Sequence, residues 1–129
     1  MSAMIRIKSN YSVKQTADRF SDLLEQKQLK LFARINHSAG AESIGATLRP
    51  TELLIFGKPE IGTPLMQANQ EVALDLPQKI LVLEDQSAQT WICYEDPEHL
   101  IAKHRLGGVD EVLNQVKGAM TALTNAATE

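Results

Sequence analysis

The first third of the chain alternates between strand-like and helix-like spacing of apolar residues. Residues 4–8 place two isoleucines between Arg6 and Lys8, a period typical of a strand buried on one face. Ser12 and Gln15 then form a capping-box pattern ahead of apolar residues spaced by three and four, which predicts an amphipathic helix over 13–28. Alternation returns over 30–37 and predicts a second strand, with His37 last on its apolar face.

The middle of the chain contains a long connection, an apolar run and a helix signal. Residues 38–51 form a connection longer than the median of about 4–6 residues, and long ordered loops often carry function. The apolar run 53–56 predicts a third strand, covered on both faces. Thr63 followed by Pro64 has the pattern of an N-cap and first helical residue, so a helix is predicted from there to about residue 72.

The last part of the chain predicts a hairpin and two helices. Strands over 80–84 and 90–95 flank a polar turn, and helices are predicted over 97–106 and from Asp110 onward. The resulting order is β-α-β-β-α-β-β-α-α, which predicts an α+β fold with an antiparallel sheet and helices mainly on one face. This order contains the split βαβ pattern of ferredoxin-like sheets, in one domain over 1–129.

Composition narrows the classes of function. The 129 residues are 43% hydrophobic and 22% charged, as expected for one soluble globular domain. Interleaved charges with a net value of −3 argue against binding to nucleic acid or to an acidic membrane. The single cysteine excludes an internal disulfide, and neither a signal-like segment nor an apolar run of membrane-spanning length is present, so we expect a cytoplasmic protein.

Two histidines and one helix start are the candidates for chemistry. His37 and His104 each fit either a packed, hydrogen-bonded ring or a pH-sensitive or metal-binding side chain, and no spacing brings the two together. The helix start at Thr63 offers free N–H groups to an anion. Residues 57–63 lack the spacing of a phosphate-binding loop, so the sequence names no cofactor and leaves a metal open.

Several short sequence motifs resemble those of one known family. They are Asn36-His37-Ser38-Ala39-Gly40-Ala41, Leu48-Arg49-Pro50-Thr51, Leu54-Ile55-Phe56-Gly57-Lys58-Pro59, Gly62-Thr63-Pro64-Leu65-Met66-Gln67 and Asp75-Leu76-Pro77, with Tyr94 and His104. Together they resemble the small prokaryotic family catalogued as domain of unknown function 302. The resemblance implies an antiparallel α+β sandwich that is often dimeric, and it supplies no established activity. The recurrent polar residues that it implies are His37, Arg49, Thr63, Asn69, Asp75, Tyr94 and His104.

The sequence is compatible with three functions. The first is a module that binds or senses a small molecule or an ion, with the ligand held by His37, Thr63, Asn69, Tyr94 and His104. The second is an enzyme with His37 or His104 as general base and an anion at the Thr63 helix start. For both, we expect the loop after His37, the Thr63 segment and the stretch from Tyr94 to His104 to meet.

The third function is a structural or partner-binding domain that pairs with itself. The predicted helices suffice to cover one face of the sheet, and Phe32 and Trp91 lie on strands where they could point away from it. An uncovered apolar face is a self-complementary surface. The sequence therefore predicts a homodimer.

Overall fold

The computed structural model describes residues 4–129, so residues 1–3 of the predicted single domain lie outside the described part. Five strands and six helical segments follow one another in that part. They are β1 Met4–Ser9, α1 Val13–Gln26, β2 Lys30–Asn36, α2 His37–Ser43, β3 Thr51–Gly57, α3 Pro59–Ala68, a 3-10 helix Gln70–Asp75, β4 Gln78–Glu84, β5 Thr90–Glu95, α4 Pro97–His104 and α5 Asp110–Thr128.

The five strands form one sheet in the order β1-β5-β4-β3-β2, with every neighbouring pair antiparallel. The edge strands β1 and β2 therefore point in the same direction with three strands between them. The connection through α1 crosses the whole sheet, which makes the first βαβ unit a split one. The predicted α+β class, antiparallel sheet and element order are confirmed.

Helices α1 and α5 cover one face of the sheet and form the main core with it. Ser12 caps α1 as predicted, since its Oγ accepts from the Gln15 N–H at 3.1 Å and its own N–H donates to Gln15 Oε1 at 3.2 Å. The apolar residues of α1 at three- and four-residue spacing are all buried against the strands. The fully buried members of this core are Ala17, Phe20, Leu54, Ile80, Val82, Ile92 and Ala127.

The opposite face of the sheet carries a second set of apolar side chains, which we call the open face. Strand alternation places there Ala33 and Ile35, Leu53 and Ile55, Leu81 and Leu83, and Trp91 and Cys93. The leucines, Ile55 and Trp91 are only half-buried, and Ile35 is exposed. The expectation that helices pack on one side of the sheet is confirmed, and apolar surface remains on the other side.

The predicted second helix begins earlier than the sequence suggested. Pro59, not Pro64, occupies the first position of α3 after Lys58, so Thr63 is an interior residue of this helix and not its N-cap. Two prolines five residues apart both suit a first helical turn, and the earlier one starts the helix while the later one is tolerated inside it. The hypothesis of an anion at a Thr63 helix start is therefore wrong.

The second strand also ends earlier than predicted. Asn36 closes β2 and caps α2, with its Oδ1 accepting from the Ala39 N–H at 3.0 Å, so the predicted loop contains a helix. His37 is the first residue of α2 and is exposed. A bulge at Phe32 changes the alternation, since Leu31 pairs with Phe56 and Ala33 with Ile55.

Candidate functional site

A compact ionic cluster joins the 3-10 helix to the end of α4. Asp75 is the last residue of the 3-10 helix, and Lys103 and His104 close α4. The Nε2–H of His104 donates to Asp75 Oδ2 at 2.6 Å, and Lys103 Nζ lies 2.9 Å from the same oxygen. The His104 side chain is only 10% exposed, so the pair with Asp75 fixes its ring in place.

Asn69 connects the same two elements through the backbone. Its Nδ2 donates to the carbonyl oxygen of His104 at 3.0 Å, while its Oδ1 accepts from the Glu71 N–H and caps the 3-10 helix. Arg105 adopts a left-handed conformation with φ of 52° and ends α4 directly after His104. The structure therefore brings together Asn69 and His104 of the predicted ligand residues with Asp75, which the family resemblance also implied.

The electrostatics of this cluster favour an ionised carboxylate. Hydrogen bonds from His104 first and Lys103 second lower the pKa of Asp75 below its ordinary value. Within the described residues, His104 Nδ1 forms no hydrogen bond and no buried side-chain nitrogen lacks a partner, so Nδ1 reaches the surface. Those residues also contain no group of three His, Cys, Asp or Glu side chains that could hold a metal.

Asp75→Asn is expected to lower the thermal midpoint at neutral pH. Because the pKa of folded Asp75 lies below 3.8, its carboxylate stabilises the fold above that pH, and this contribution is lost as the pH falls through the lowered value. The gap between wild type and variant should therefore close in strong acid, as followed by circular dichroism. The control Asp22→Asn changes an exposed carboxylate and should barely move the neutral-pH midpoint, whereas equal effects of the two variants would contradict the assignment.

His37 and Tyr94 lie apart from this cluster. His37 follows the end of β2 that pairs with the start of β3, whereas Asp75 precedes the start of β4, which pairs with the end of β3. Strands of this length separate the two ends by about 20 Å. Tyr94 is buried in the core on the helical face. The structure does not bring His37 and His104 to one place.

An apolar groove opens beside the cluster, between α3 and the bulged end of β2. Its volume is about 360 Å³. The apolar side chains that line it are Phe32, Ile61, Met66, Leu76 and Pro77. Leu76 and Pro77 directly follow Asp75, so the cluster of Asp75, His104 and Asn69 positions one wall of the groove.

Two polar side chains and a glycine complete the groove. Lys58 and Thr63 lie in its lining, and Lys58 forms no ion pair within the described residues. A Cβ at Gly62 would stand 3.7 Å from Met66 Cε and 3.9 Å from Leu76 Cδ1, so the missing side chain leaves room inside the groove. Thr63 thus lines a cavity. It does so from the interior of α3 and not as the helix N-cap that the sequence predicted.

Sequence reasoning missed this groove because its walls come from distant segments. The bulge at Phe32, the early start of α3 and the Leu76-Pro77 connection meet only in the folded chain. The one available signal was Phe32, an aromatic residue out of phase with the buried positions of its strand.

Comparisons with known proteins agree with the fold. A family model described as "Domain of unknown function DUF302" matches residues 5–123. The crystal structure of an uncharacterized conserved protein DUF302 from Bacillus stearothermophilus superposes with a TM-score of 0.87 over 98% of this chain and 99% of that chain, at 16% identity. At that level of identity the likeness shows the shared fold.

Curated relatives share higher sequence identity over part of their length. Fluoride-specific ion channel FluC 1 of Brucella suis biovar 1 is 40% identical over 106 residues, which are 82% of this chain and 42% of the relative. FluC 2 of Brucella melitensis biotype 1 is also 40% identical over 106 residues, which are 39% of that relative. The chain thus spans about two-fifths of the length of these relatives.

The helices and the extent of the family match bear on the class of protein. Helices formed by residues 4–129 are all too short or too polar to cross a membrane. The family model covers nearly all of the described residues, and the sequence motifs that suggested the family lie within the match. The chain belongs to the family described as domain of unknown function DUF302.

Proposed function

We propose that the chain is a cytoplasmic binding module for a small, mostly apolar molecule that carries one anionic group. The observation that supports this is the groove of about 360 Å³, whose apolar lining is accompanied by a lysine without an ionic partner in the described chain. Pockets for small molecules are concave, mostly apolar and about 300–1,000 Å³ in volume, with few polar groups that fix the ligand. Lys58 would hold the anionic group and the apolar wall the remainder.

The cluster beside the groove has a supporting role in this proposal. Asp75, His104 and Asn69 fix the 3-10 helix, and that helix leads into the wall formed by Leu76 and Pro77. Of the residues predicted for the ligand, Thr63 would contact it, and Asn69 and His104 would position its site. An enzymatic role for His104 is less well supported, because its Nε2–H is engaged by Asp75 and its side chain does not line the groove.

The relatives suggest where such a module would act. Their names are those of fluoride-specific ion channels, and the part that resembles this chain is only about two-fifths of each. We propose that the module communicates with a membrane ion channel and that its ligand, not fluoride, is what the groove detects. An apolar groove with one lysine suits an organic anion better than a small, strongly hydrated ion.

The groove is tested with octanoate as the probe. Octanoate at millimolar concentration should raise the melting temperature, because a ligand that binds only the folded state stabilises it, whereas acetate and fluoride should not. Lys58→Gln should weaken the effect of octanoate and leave that of octanol unchanged. Gly62→Leu should abolish both effects, since the new side chain fills the space beside Met66 and Leu76.

The matched control is Gly118→Leu, which adds the same side chain to an exposed glycine of α5 that has nothing near it. This variant should respond to octanoate as the wild type does. Stabilisation that survives Gly62→Leu, or no stabilisation by octanoate at all, would overturn the proposal for the groove.

We also propose that the chain forms a homodimer through the open face. The support is a continuous set of half-buried apolar residues across the middle strands, a surface that single domains usually cover. Light scattering at tens of micromolar should report twice the mass of one chain. A monomer under these conditions would contradict the homodimer.

A further inference from the structure

Residues 37–50 form a segment that is tied to its own domain at both ends and is exposed between them, and we call this segment the arm. It contains α2 and the connection to β3, and all of its residues except Ser38 and Ala41 are exposed. Ile44 is 82% exposed and Leu48 is 46% exposed. Ile44 therefore has little cover in the single chain, and Leu48, which lines a cavity with Thr51 and Leu83, is partly covered.

Hydrogen bonds hold the two ends of the arm but not its middle. Asn36 caps α2, and Ser38 Oγ accepts from the Thr51 N–H at 3.3 Å, so its first turn is tied to β3. At the far end, Arg49 Nε donates to the carbonyl oxygen of Glu84 at 3.2 Å, and the Glu84 N–H donates to the carbonyl oxygen of Pro50 at 3.0 Å.

α2 has seven residues and none of them is buried. Helices shorter than about 12 residues are marginal in water unless one face packs against something. The exposed middle of the arm is therefore the part that is available for a contact outside the chain.

We infer that each protomer of the homodimer lays its arm across the β1 edge of the partner's open face. This inference rests on the proposed homodimer and adds which segments meet. When two sheets pack face to face about a two-fold axis parallel to the strands, edge strand β2 of one lies opposite edge strand β1 of the other. Because β1 and β2 run in the same direction, the arm leaves β2 at the end of the sheet where β1 also ends. In this dimer, the arm of one protomer therefore lies beside the end of the partner's β1.

The area of the open face supports a contribution from the arms. Five strands at about 4.8 Å spacing and seven residues at about 3.3 Å give an outline near 500 Å² per protomer. A standard stable interface buries about 800 Å² per partner. An arm of fourteen residues from each protomer would add to the area that the face buries.

Charge complementarity points to the same arrangement. Glu42 lies in the arm and has no ion pair within the described chain. Lys8 lies near the end of β1 that the arm would reach, and its only charge contact in the described residues is with the Trp91 ring, 5.6 Å from the ring centroid. Across the two-fold axis, Glu42 would face the partner's Lys8.

Cross-linking tests this arrangement directly. Ser43→Cys and Asn10→Cys are introduced together with Cys93→Ser, and the chain is treated with a short bis-maleimide. A link between two chains gives a band of twice the mass on a denaturing gel, whereas a link within one chain does not, so the gel reports only contacts between chains. We expect a covalent dimer on a denaturing gel. The control replaces Ser43→Cys by Leu74→Cys, at an 84% exposed position toward the other end of the sheet, and should remain monomeric on the gel.

Substitution of the apolar arm residues provides the second measurement. Ile44→Asp combined with Leu48→Asp should raise the dimer dissociation constant roughly 100-fold, because both changes occur twice across a two-fold interface. Leu74→Asp should leave it unchanged, and circular dichroism should report an intact fold for both. A dimer that neither cross-links nor responds to the arm substitutions would overturn the arm contact alone. A wild-type monomer would overturn the homodimer and the arm contact together.

Discussion

Replacing Phe20 by alanine is expected to lower the free energy of unfolding by about 3–5 kcal/mol. Phe20 has no exposed surface, and its ring meets Phe56 edge-to-face with centroids 5.1 Å apart and an interplanar angle of 67°. This contact joins α1 to β3, the strand between β4 and the edge strand β2. Truncation would leave a cavity between helix and sheet that the closely packed neighbours could fill only in part.

Urea denaturation of the variant measures this loss. The matched control is Phe32→Ala, in which the same side chain is removed from a 47% exposed position at the groove, with an expected cost below about 1 kcal/mol. Equal losses for Phe20 and Phe32 would mean that the helical face does not hold the main core. The difference between the variants therefore tests which face of the sheet carries the stability.

Local patterns predicted the parts of the fold in which a single segment determines its own structure. The capping box at Ser12 and the spacing up to Leu24 identify α1, because both signals refer to neighbours within one or two helical turns. The polar turn after Glu84 identifies the hairpin in the same way, with Asp85 Oδ1 accepting from the Ser87 and Gln89 N–H groups. Element order and the α+β class follow from such local signals.

Positions that depend on several segments could not be predicted. The bulge at Phe32 reverses the faces of the preceding and following residues, and only pairing with β3 reveals it. The choice between Pro59 and Pro64 as the helix start depends on how β3 ends. The contact between Asp75 and His104 joins residues 29 positions apart, and no periodicity in the chain relates them.

The residues of the candidate site were also predicted only in part. The resemblance to a family selected Thr63, Asn69, Asp75 and His104, which the structure places in or beside the groove. It also selected His37 and Tyr94, which lie in the arm and in the main core. A shared sequence motif therefore indicates that a residue is constrained by structure or by function. Only the position of the residue in the fold shows which of these two constraints applies.

Arg34→Leu is expected to lower the free energy of unfolding by about 3–5 kcal/mol, because it leaves a buried carboxylate without its partner. Glu52 is 7% exposed, and its Oε1 accepts from Arg34 Nε at 2.7 Å. Arg34 also donates to Asp18 Oδ1 at 2.7 Å, which ties α1 to β2. Glu52 first and Asp18 after it raise the pKa of Arg34, while Lys14 and Arg34 lower that of Asp18.

The double variant Arg34→Leu with Glu52→Leu separates the cost of an unpaired charge from the value of the pair. Replacing both partners by apolar residues should recover the stability to within about 1 kcal/mol of wild type. Lys14→Leu is the control, since it breaks an exposed pair with Asp18 and should cost at most about 0.5 kcal/mol. With the single variant Glu52→Leu added, urea denaturation of the wild type, both single variants and the double variant at neutral pH gives the coupling energy between Arg34 and Glu52.

The Arg34 variants also test whether the edge strand β2 positions the groove and the arm. β2 carries Phe32 into the groove and leads through Asn36 into the arm, and Arg34 is the side chain that links this strand to α1. A loosened β2 should therefore weaken octanoate binding and dimerisation along with stability in the single variant, and the double variant should restore all three. Recovery of stability without recovery of octanoate binding would show that Arg34 or Glu52 acts on the groove in some way other than by anchoring β2.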